Sequence, residues 1–365
     1  VTALVIGFAL GRSAPAQGQS LPRVDGPLTL DRAVELALTQ SLRVQAAEAE
    51  SRTMDSMRRE AQAPFWPQLS ANGYFVDQRM APNVYTSAGT TMARNYQVFN
   101  ADQSRDANVT LMYPIFAGGR DYYGYQAAAR RAEAGRQMLR AAEVDVAMQA
   151  RLDYLNVLRE RENFRVTTEL LRDIEERLRV TRETFEAGRA PRFYLLRDET
   201  ELANVQQMLA MAQSRVEQSL VALKTTLGLD LASVVELTDR LEYRQAMVSI
   251  EEGIREASTC QPDILGAVKQ REAAEAEVRA AYGNYFPQVS LSSMYDWGWM
   301  RNRGSDSQTD TPQGYSVGIV VTLPVFDGFM RENALKHAKS KLERAVQLEG
   351  LARQQMAKDV KQAAR

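Results

Sequence analysis

Residues equipped for chemistry are scarce in this chain, and their spacing serves no reaction. Of 365 residues, one is histidine (His337) and one is cysteine (Cys260). A lone cysteine excludes an internal disulfide and leaves a thiolate zinc site without partners. A lone histidine in a Lys-rich helical stretch cannot build a triad, a proton relay or an imidazole metal site, and reads as a solvated surface residue. Gly118-Gly119 is a single glycine pair after a strand-like segment, which reads as turn chemistry rather than a phosphate cradle. Charge is balanced, 45 basic against 46 acidic residues, so the basic field that drives nucleic-acid binding is absent. No catalysis, no cofactor, no metal and no nucleic-acid partner is expected.

Prolines and aromatics are the residues whose spacing carries information. Trp66-Pro67-Gln68-Leu69-Ser70 recurs as Phe286-Pro287-Gln288-Val289-Ser290, 220 positions on, and Tyr113-Pro114-Ile115-Phe116 recurs as Leu323-Pro324-Val325-Phe326, 210 positions on. A charged, alanine-rich helical stretch precedes each copy, Ala47 to Ala61 and Ala267 to Ala281. Each copy reads as helix, strand, loop, strand, helix, and two copies imply a pseudo-symmetric body made by duplication of a half-molecule. The first repeat is assigned to 28–245 and the second to 246–365. The offset of 210 sets Arg365 against Leu155, inside the first long helix, so the second repeat is expected to need roughly 90 further residues to finish. Residues 1–16, an apolar run followed by Ala14-Pro15-Ala16, read as part of a secretory leader.

Long helices and short alternating strands are the elements that must position these motifs. From about Gly119 to Ala187 no proline interrupts the chain, which predicts a helix roughly 100 Å long at 1.5 Å per residue. Val157, Phe164, Leu171, Leu178 and Phe185 fall every seven positions, as do Leu195, Leu202, Leu209, Val216 and Leu223. A sustained heptad predicts knobs-into-holes packing, and the short break Gly188-Arg189-Ala190-Pro191 makes the two helices antiparallel neighbours. Gly188 is placed to cap the first and Pro191 to open the second. Arg172, Asp173, Glu175, Glu176, Arg177 and Arg179 lie off the seam as a solvated face of intrahelical pairs.

Four alternating segments, near 67–77, 107–115, 287–299 and 314–323, read as strands of membrane length. Pro67, Pro114, Pro287 and Pro324 mark strand–helix junctions, because proline continues neither a ladder nor a helix interior. Trp66, Tyr113, Phe286, Tyr295, Trp297 and Trp299 are assigned to the membrane interface. Residues 77–107 and 301–314 would be outer loops. Four strands cannot close a barrel, whose smallest form has eight, and open edges are not tolerated in lipid. Several chains must share one barrel, a dimer giving eight strands and a trimer twelve. The fold class is therefore an internally duplicated α+β membrane protein, with long antiparallel coiled-coil helices and four β-strands per chain contributing to a shared oligomeric outer-membrane β-barrel.

These motifs, with the pattern apolar-Pro-[Ile/Val]-Phe-x-Gly at Pro114 to Gly119 and Pro324 to Phe329, resemble the TolC-like outer-membrane efflux proteins. Leu28 to Leu38 looks like that family's opening helix. Phe185-Glu186-Ala187-Gly188-Arg189-Ala190 followed by Leu195-Leu196 looks like its hairpin tip. Tyr194 stands where the family often has aspartate. The resemblance implies a homotrimer in outer-membrane lipid with a twelve-stranded barrel and a periplasmic helical tunnel. It also implies that a periplasmic adaptor protein meets Gly188, Arg189, Ala190, Pro191, Leu195 and Leu196, and that an inner-membrane pump delivers the substrate. The alternatives are the duct of a one-step (type I) protein secretion system and, in another class, a periplasmic coiled-coil scaffold with a small soluble sheet.

Overall fold

The computed structural model describes residues 23, 26–77, 103–242, 249–301 and 308–363. The expected leader, 78–102 of one expected outer loop and 302–307 of the other lie outside these residues. The elements are β1 (Gly26–Leu28), α1 (Leu30–Gln40), α2 (Leu42–Glu60), β2 (Gln68–Asp77), β3 (Gln103–Phe116), α3 (Arg120–Glu186), α4 (Arg192–Leu227), β4 (Val235–Leu237), α5 (Ile250–Cys260), α6 (Pro262–Gly283), β5 (Gln288–Arg301), β6 (Gln308–Thr322) and α7 (Met330–Ala363). Two compact units emerge, one of residues 1–49 and 139–247, the other of 50–138 and 248–365. From residue 28 to 245 the first unit draws only on the first sequence repeat, while the second unit joins the rest of that repeat to the second.

The first unit is a helical hairpin standing on a small mixed core. Helix α3 runs 67 residues because nothing in 120–186 breaks it, and α4 returns against it. The seven-residue rows at Val157 to Phe185 and Leu195 to Leu223 are all buried or half-buried. A second row interleaves with them on α4: Asp198, Val205, Ala212 and Ser219, all buried. Two side-chain hydrogen bonds cross the seam among the described residues. Thr226 Oγ1 donates to Asp153 Oδ2 at 2.6 Å, and Thr181 Oγ1 donates to Asp198 Oδ2 at 2.7 Å. From 153 to 181 on one helix and from 198 to 226 on the other is the same four heptads, so a single register holds along the hairpin.

At the foot of the hairpin, Leu36, Tyr154, Val157, Leu223, Leu227, Leu229 and Val235 share one core with Leu28. The Tyr154 hydroxyl donates to Leu28 O (2.8 Å) and to Asp239 Oδ2 (2.9 Å), and Leu30 N–H donates to that same carboxylate at 2.7 Å. Burial and the bond to Asp239 push the Tyr154 phenol up to about 12. Leu28 therefore does not open a helix: it ends β1, which pairs in parallel with β4, Leu28 opposite Leu237. Two three-residue strands leave no periodic signal to read. Pro191, placed to open α4, is its N-cap, with ψ at 147°.

The second unit carries three helices, α5, α6 and α7, with residues 120–138 of α3 and the end of α2. Alanine dominates the buried positions, with Ala273, Ala274 and Ala276 on α6 and Ala338 on α7. Small side chains let helices approach closely, which brings charges at their edges within reach of one another. Lys269 lies 3.3 Å from Glu133 and 3.1 Å from Glu272, and Arg130 lies 3.3 Å from Glu272. Burial pushes the Glu133 carboxyl up, but hydrogen bonds from Arg130 and Lys269 outweigh it and hold the group below the usual carboxylate range. Arg271 ties α6 to Glu349 of α7 at 2.8 Å.

The second unit also holds the sheet, ordered β2-β3-β5-β6 and antiparallel throughout. The β3–β5 ladder joins one sequence repeat to the other. Three of the four strands reach further on the loop side than their alternation suggests. β3 starts at Gln103, β5 runs to Arg301 and β6 starts at Gln308. Those extensions are rich in Gln, Ser, Asp and Thr, and backbone pairing to a formed neighbour carries them despite weak strand propensity. After β3 the chain turns through Gly118 and Gly119, with φ of +62° and +79°. A Cβ on Gly118 would stand 2.3 Å from the Gly283 carbonyl, so glycine is required there by space as well as by conformation.

Candidate functional site

The hairpin tip is built by backbone bonds. Gly188 N–H donates to Phe185 O and Arg189 N–H to Thr184 O, both at 2.9 Å, with Gly188 at φ +72°. This left-handed glycine satisfies the last carbonyls of α3 and reverses the chain. Arg189, Pro191 and Arg192 are exposed and Ala190 is half-buried. Leu195 turns into the seam while Leu196 turns out, beside an exposed edge-to-face pair of Phe193 and Tyr194 with ring centroids 5.8 Å apart. Sequence reasoning passed over Phe193, whose exposed ring is the largest apolar surface of the tip.

Strand pairing sorts the sheet residues into two faces. Ala71, Val109, Tyr295 and Tyr315 form one lateral row, and Leu69, Leu111, Ser293 and Val317 form the next. With Tyr113 opposite Leu291 and Leu291 opposite Ile319, these rows of the face are apolar but for Ser293. The other face has Ser70, Thr110, Met294 and Ser316 in one row and Gln68, Met112, Ser292 and Gly318 in another. Because side chains alternate strictly, a one-residue slip on any strand would mix the two faces. The apolar face is bare in the single chain: Leu69, Tyr315, Val317, Ile319 and Val321 are each more than 60% exposed.

The expected junction prolines fall at different points of the strand ends. Pro67 and Pro287 immediately precede β2 and β5. Pro114 lies inside β3, two residues from its end, at a shift of register opposite Ser290. There β2 has ceased to pair, its last partner on β3 being Met112, so the missing N–H breaks no ladder on that side. Pro324 lies two residues past β6. Of the aromatics, Trp66 and Phe286 are exposed just before their strands, and Tyr113 is half-buried. Tyr295 and Trp297 pack edge-to-face at 4.6 Å near the other end of β5. Trp299 belongs to β5, but its side chain lies outside the described residues. From Phe286 to Trp297 is eleven residues, about the length of a tilted strand crossing a bilayer.

Among the described residues, no three His, Cys, Asp or Glu side chains gather as metal ligands would, and no helix is long and apolar enough to cross a membrane. His337 and Cys260 are both exposed.

The protein combines a two-faced antiparallel sheet with long paired helices. A sequence profile described as "Outer membrane efflux protein" matches residues 33–229 and 253–364, and the chain belongs to that family and to the outer membrane. It is similar to the pyoverdine export outer membrane protein OpmQ of Pseudomonas aeruginosa, 26% identical over 325 residues, covering 88% of this chain and 66% of that protein. It is also similar to protein CyaE of Bordetella pertussis, 23% identical over 346 residues, covering 92% of this chain and 68% of that one. The chain thus spans about two thirds of the length of either relative. Among solved structures, the Campylobacter jejuni CmeC outer membrane channel matches with a TM-score of 0.73 at 17% identity, over 88% of this chain and 67% of that one. VceC of Vibrio cholerae matches with a TM-score of 0.71 at 19% identity, over 89% and 75%. These likenesses establish the TolC-like fold, and the resemblance drawn from the residues holds.

Proposed function

We propose that three copies of this chain pool their sheets into one twelve-stranded barrel, forming the outer-membrane exit duct of a tripartite efflux system. The duct conducts passively what an inner-membrane pump delivers through a periplasmic adaptor. The observation that carries this reading is the open four-stranded sheet: among the described residues its edges β2 and β6 each lack a second neighbour, and in the rows nearest the helices one face is apolar across all four strands but for Ser293. An open edge cannot stand in lipid, and four strands cannot close on themselves. The Pseudomonas relative is named for pyoverdine export; export as a direction is carried over here, and the solute is not. The adaptor contact is assigned to the tip, Gly188 to Leu196, where Arg189 and Arg192 stand exposed beside Phe193 and Tyr194.

Two measurements test this. The protein should stay with outer membranes through a high-salt wash and run as a heat-sensitive trimer in mild detergent; release by salt would favour the periplasmic scaffold instead. Cysteine placed at Arg189 or Arg192 should capture the adaptor in cells. No capture at either position, with efflux intact, would remove the tip from the contact.

A further inference from the structure

Among the described side chains, the polar face carries one charge that pairing with its neighbours leaves uncompensated. Asn72, Asn108, Asp296 and Gly314 lie side by side across the four strands. The Asn72 side-chain amide donates to Asn108 Oδ1 at 3.0 Å, so these two partly satisfy each other. Asp296, next in the row, has no hydrogen-bond or ion-pair partner among the described residues. Beyond it Gly314 offers no side chain, with open space where a Cβ would stand. Among the described side chains on this face, Asp296 is the one ionisable group. An unpaired carboxylate within a membrane-crossing strand is stable only where water reaches it, and such groups mark the paths of ions and solutes.

We propose that Asp296 makes the duct charge-selective, favouring the passage of positively charged solutes over anions. This rests on the shared-barrel reading: the sheet's polar face then lines the water-filled interior, and symmetry sets one Asp296 from each copy at the same height. A ring of carboxylates raises the local concentration of cations and lowers that of anions, the device of acidic rings in cation channels. The uncharged amides of Asn72 and Asn108 widen the polar belt without offsetting its charge.

The test reads the local potential directly. In a Cys260→Ser background, Met294→Cys places a thiol two residues from Asp296 on the same face, well within the screening length of about 8 Å at physiological salt. Outer membranes are treated with cationic and anionic methanethiosulfonate reagents of similar size, and the ratio of the two rates is measured. The cationic reagent should react severalfold faster, and the ratio should fall severalfold with Asp296→Asn and persist with Asp296→Glu. It should also shrink at 1 M salt, where the screening length drops to about 3 Å. Equal ratios with and without the carboxylate would overturn the role of Asp296 while leaving the duct reading intact. A Met294→Cys thiol that neither reagent reaches would overturn both, because the polar face would then not line water.

Discussion

Tyr154 shows how one side chain can hold three segments at the foot of the hairpin. Its hydroxyl reaches the end of β1 and, through Asp239, the first N–H of α1. Nothing in the spacing of the sequence marks Tyr154, because its partners lie far away in the chain and one of them is a backbone carbonyl. Without the hydroxyl, Leu28 O keeps its bond from Thr238 N–H and Asp239 keeps that from Leu30 N–H, so Tyr154→Phe loses only its own bonds and should cost about 1 kcal/mol, read as a lower unfolding midpoint in detergent. The pH sign follows from the raised phenol: its contribution is whole below the ordinary value of 10 and is lost as pH rises towards about 12. The alkaline limb of the stability profile should therefore be shallower in Tyr154→Phe. Phe329 offers the converse case. It takes φ +66° after Gly328, the same left-handed pair that Gly118 and Gly119 form in the other repeat. A bulky residue pays for that conformation where glycine does not, so Phe329→Gly should stabilise the turn by about 1 kcal/mol unless the edge-to-face contact with Phe326 outweighs it. A lower midpoint in this variant would assign the ring pair the larger share.

Among the elements, the helical hairpin was legible because its large apolar residues recur every seven positions over about eight turns on each helix. The interleaved row was not, since Asp198, Ala212 and Ser219 are the residue types that a search for apolar periodicity discards. Strand existence was legible from alternation, whereas strand ends were not, because they are set by pairing with neighbours distant in sequence. The seam predicts a graded response. Leu171→Asp or Leu209→Asp sets an unpaired carboxylate between the helices and should cost several kcal/mol, whereas the exposed Arg172→Ala should change stability by no more than about 0.5 kcal/mol. Asp198 already stands in that seam, and it is tolerated through Thr181 and through Arg177, whose Nε lies 3.5 Å from Oδ1. Replacing it together with its partner, as Asp198→Leu with Thr181→Val, should leave the hairpin as stable or more so. Removing the threonine hydroxyl alone takes away the carboxylate's one hydrogen bond across the seam, leaves it only the more distant Arg177, and should destabilise. Amide exchange along α3 and α4 orders these variants. If Thr181→Val is neutral, the cross-seam bond holds nothing.

The whole molecule turns on its sheet, where a duplicated sequence becomes a single surface. β3 of one repeat pairs with β5 of the other, so four strands that neither repeat could keep in register alone present one apolar and one polar face. Alternation within each strand revealed that two faces exist; the ladders between strands reveal that apolar residues from all four gather on the same one. In the proposed barrel that face meets lipid and the other meets water, and neighbouring residues on one strand should then answer oppositely to the same change. Ser316 and Val317 are consecutive on β6, one in the row of Ser70, Thr110 and Met294, the other in the row of Leu69, Leu111 and Ser293. An arginine on the lipid face near the middle of the bilayer costs about 2–4 kcal/mol, whereas one facing the interior is hydrated. Val317→Arg should therefore deplete the assembled oligomer in outer membranes, with three copies of the cost falling on each trimer. Ser316→Arg should assemble normally and, by placing a cation one row from Asp296, favour anionic solutes relative to the unaltered protein. Equal assembly of the two variants would mean that the faces are not separated by lipid and water, and the barrel would have to be abandoned for a sheet bathed in water on both sides.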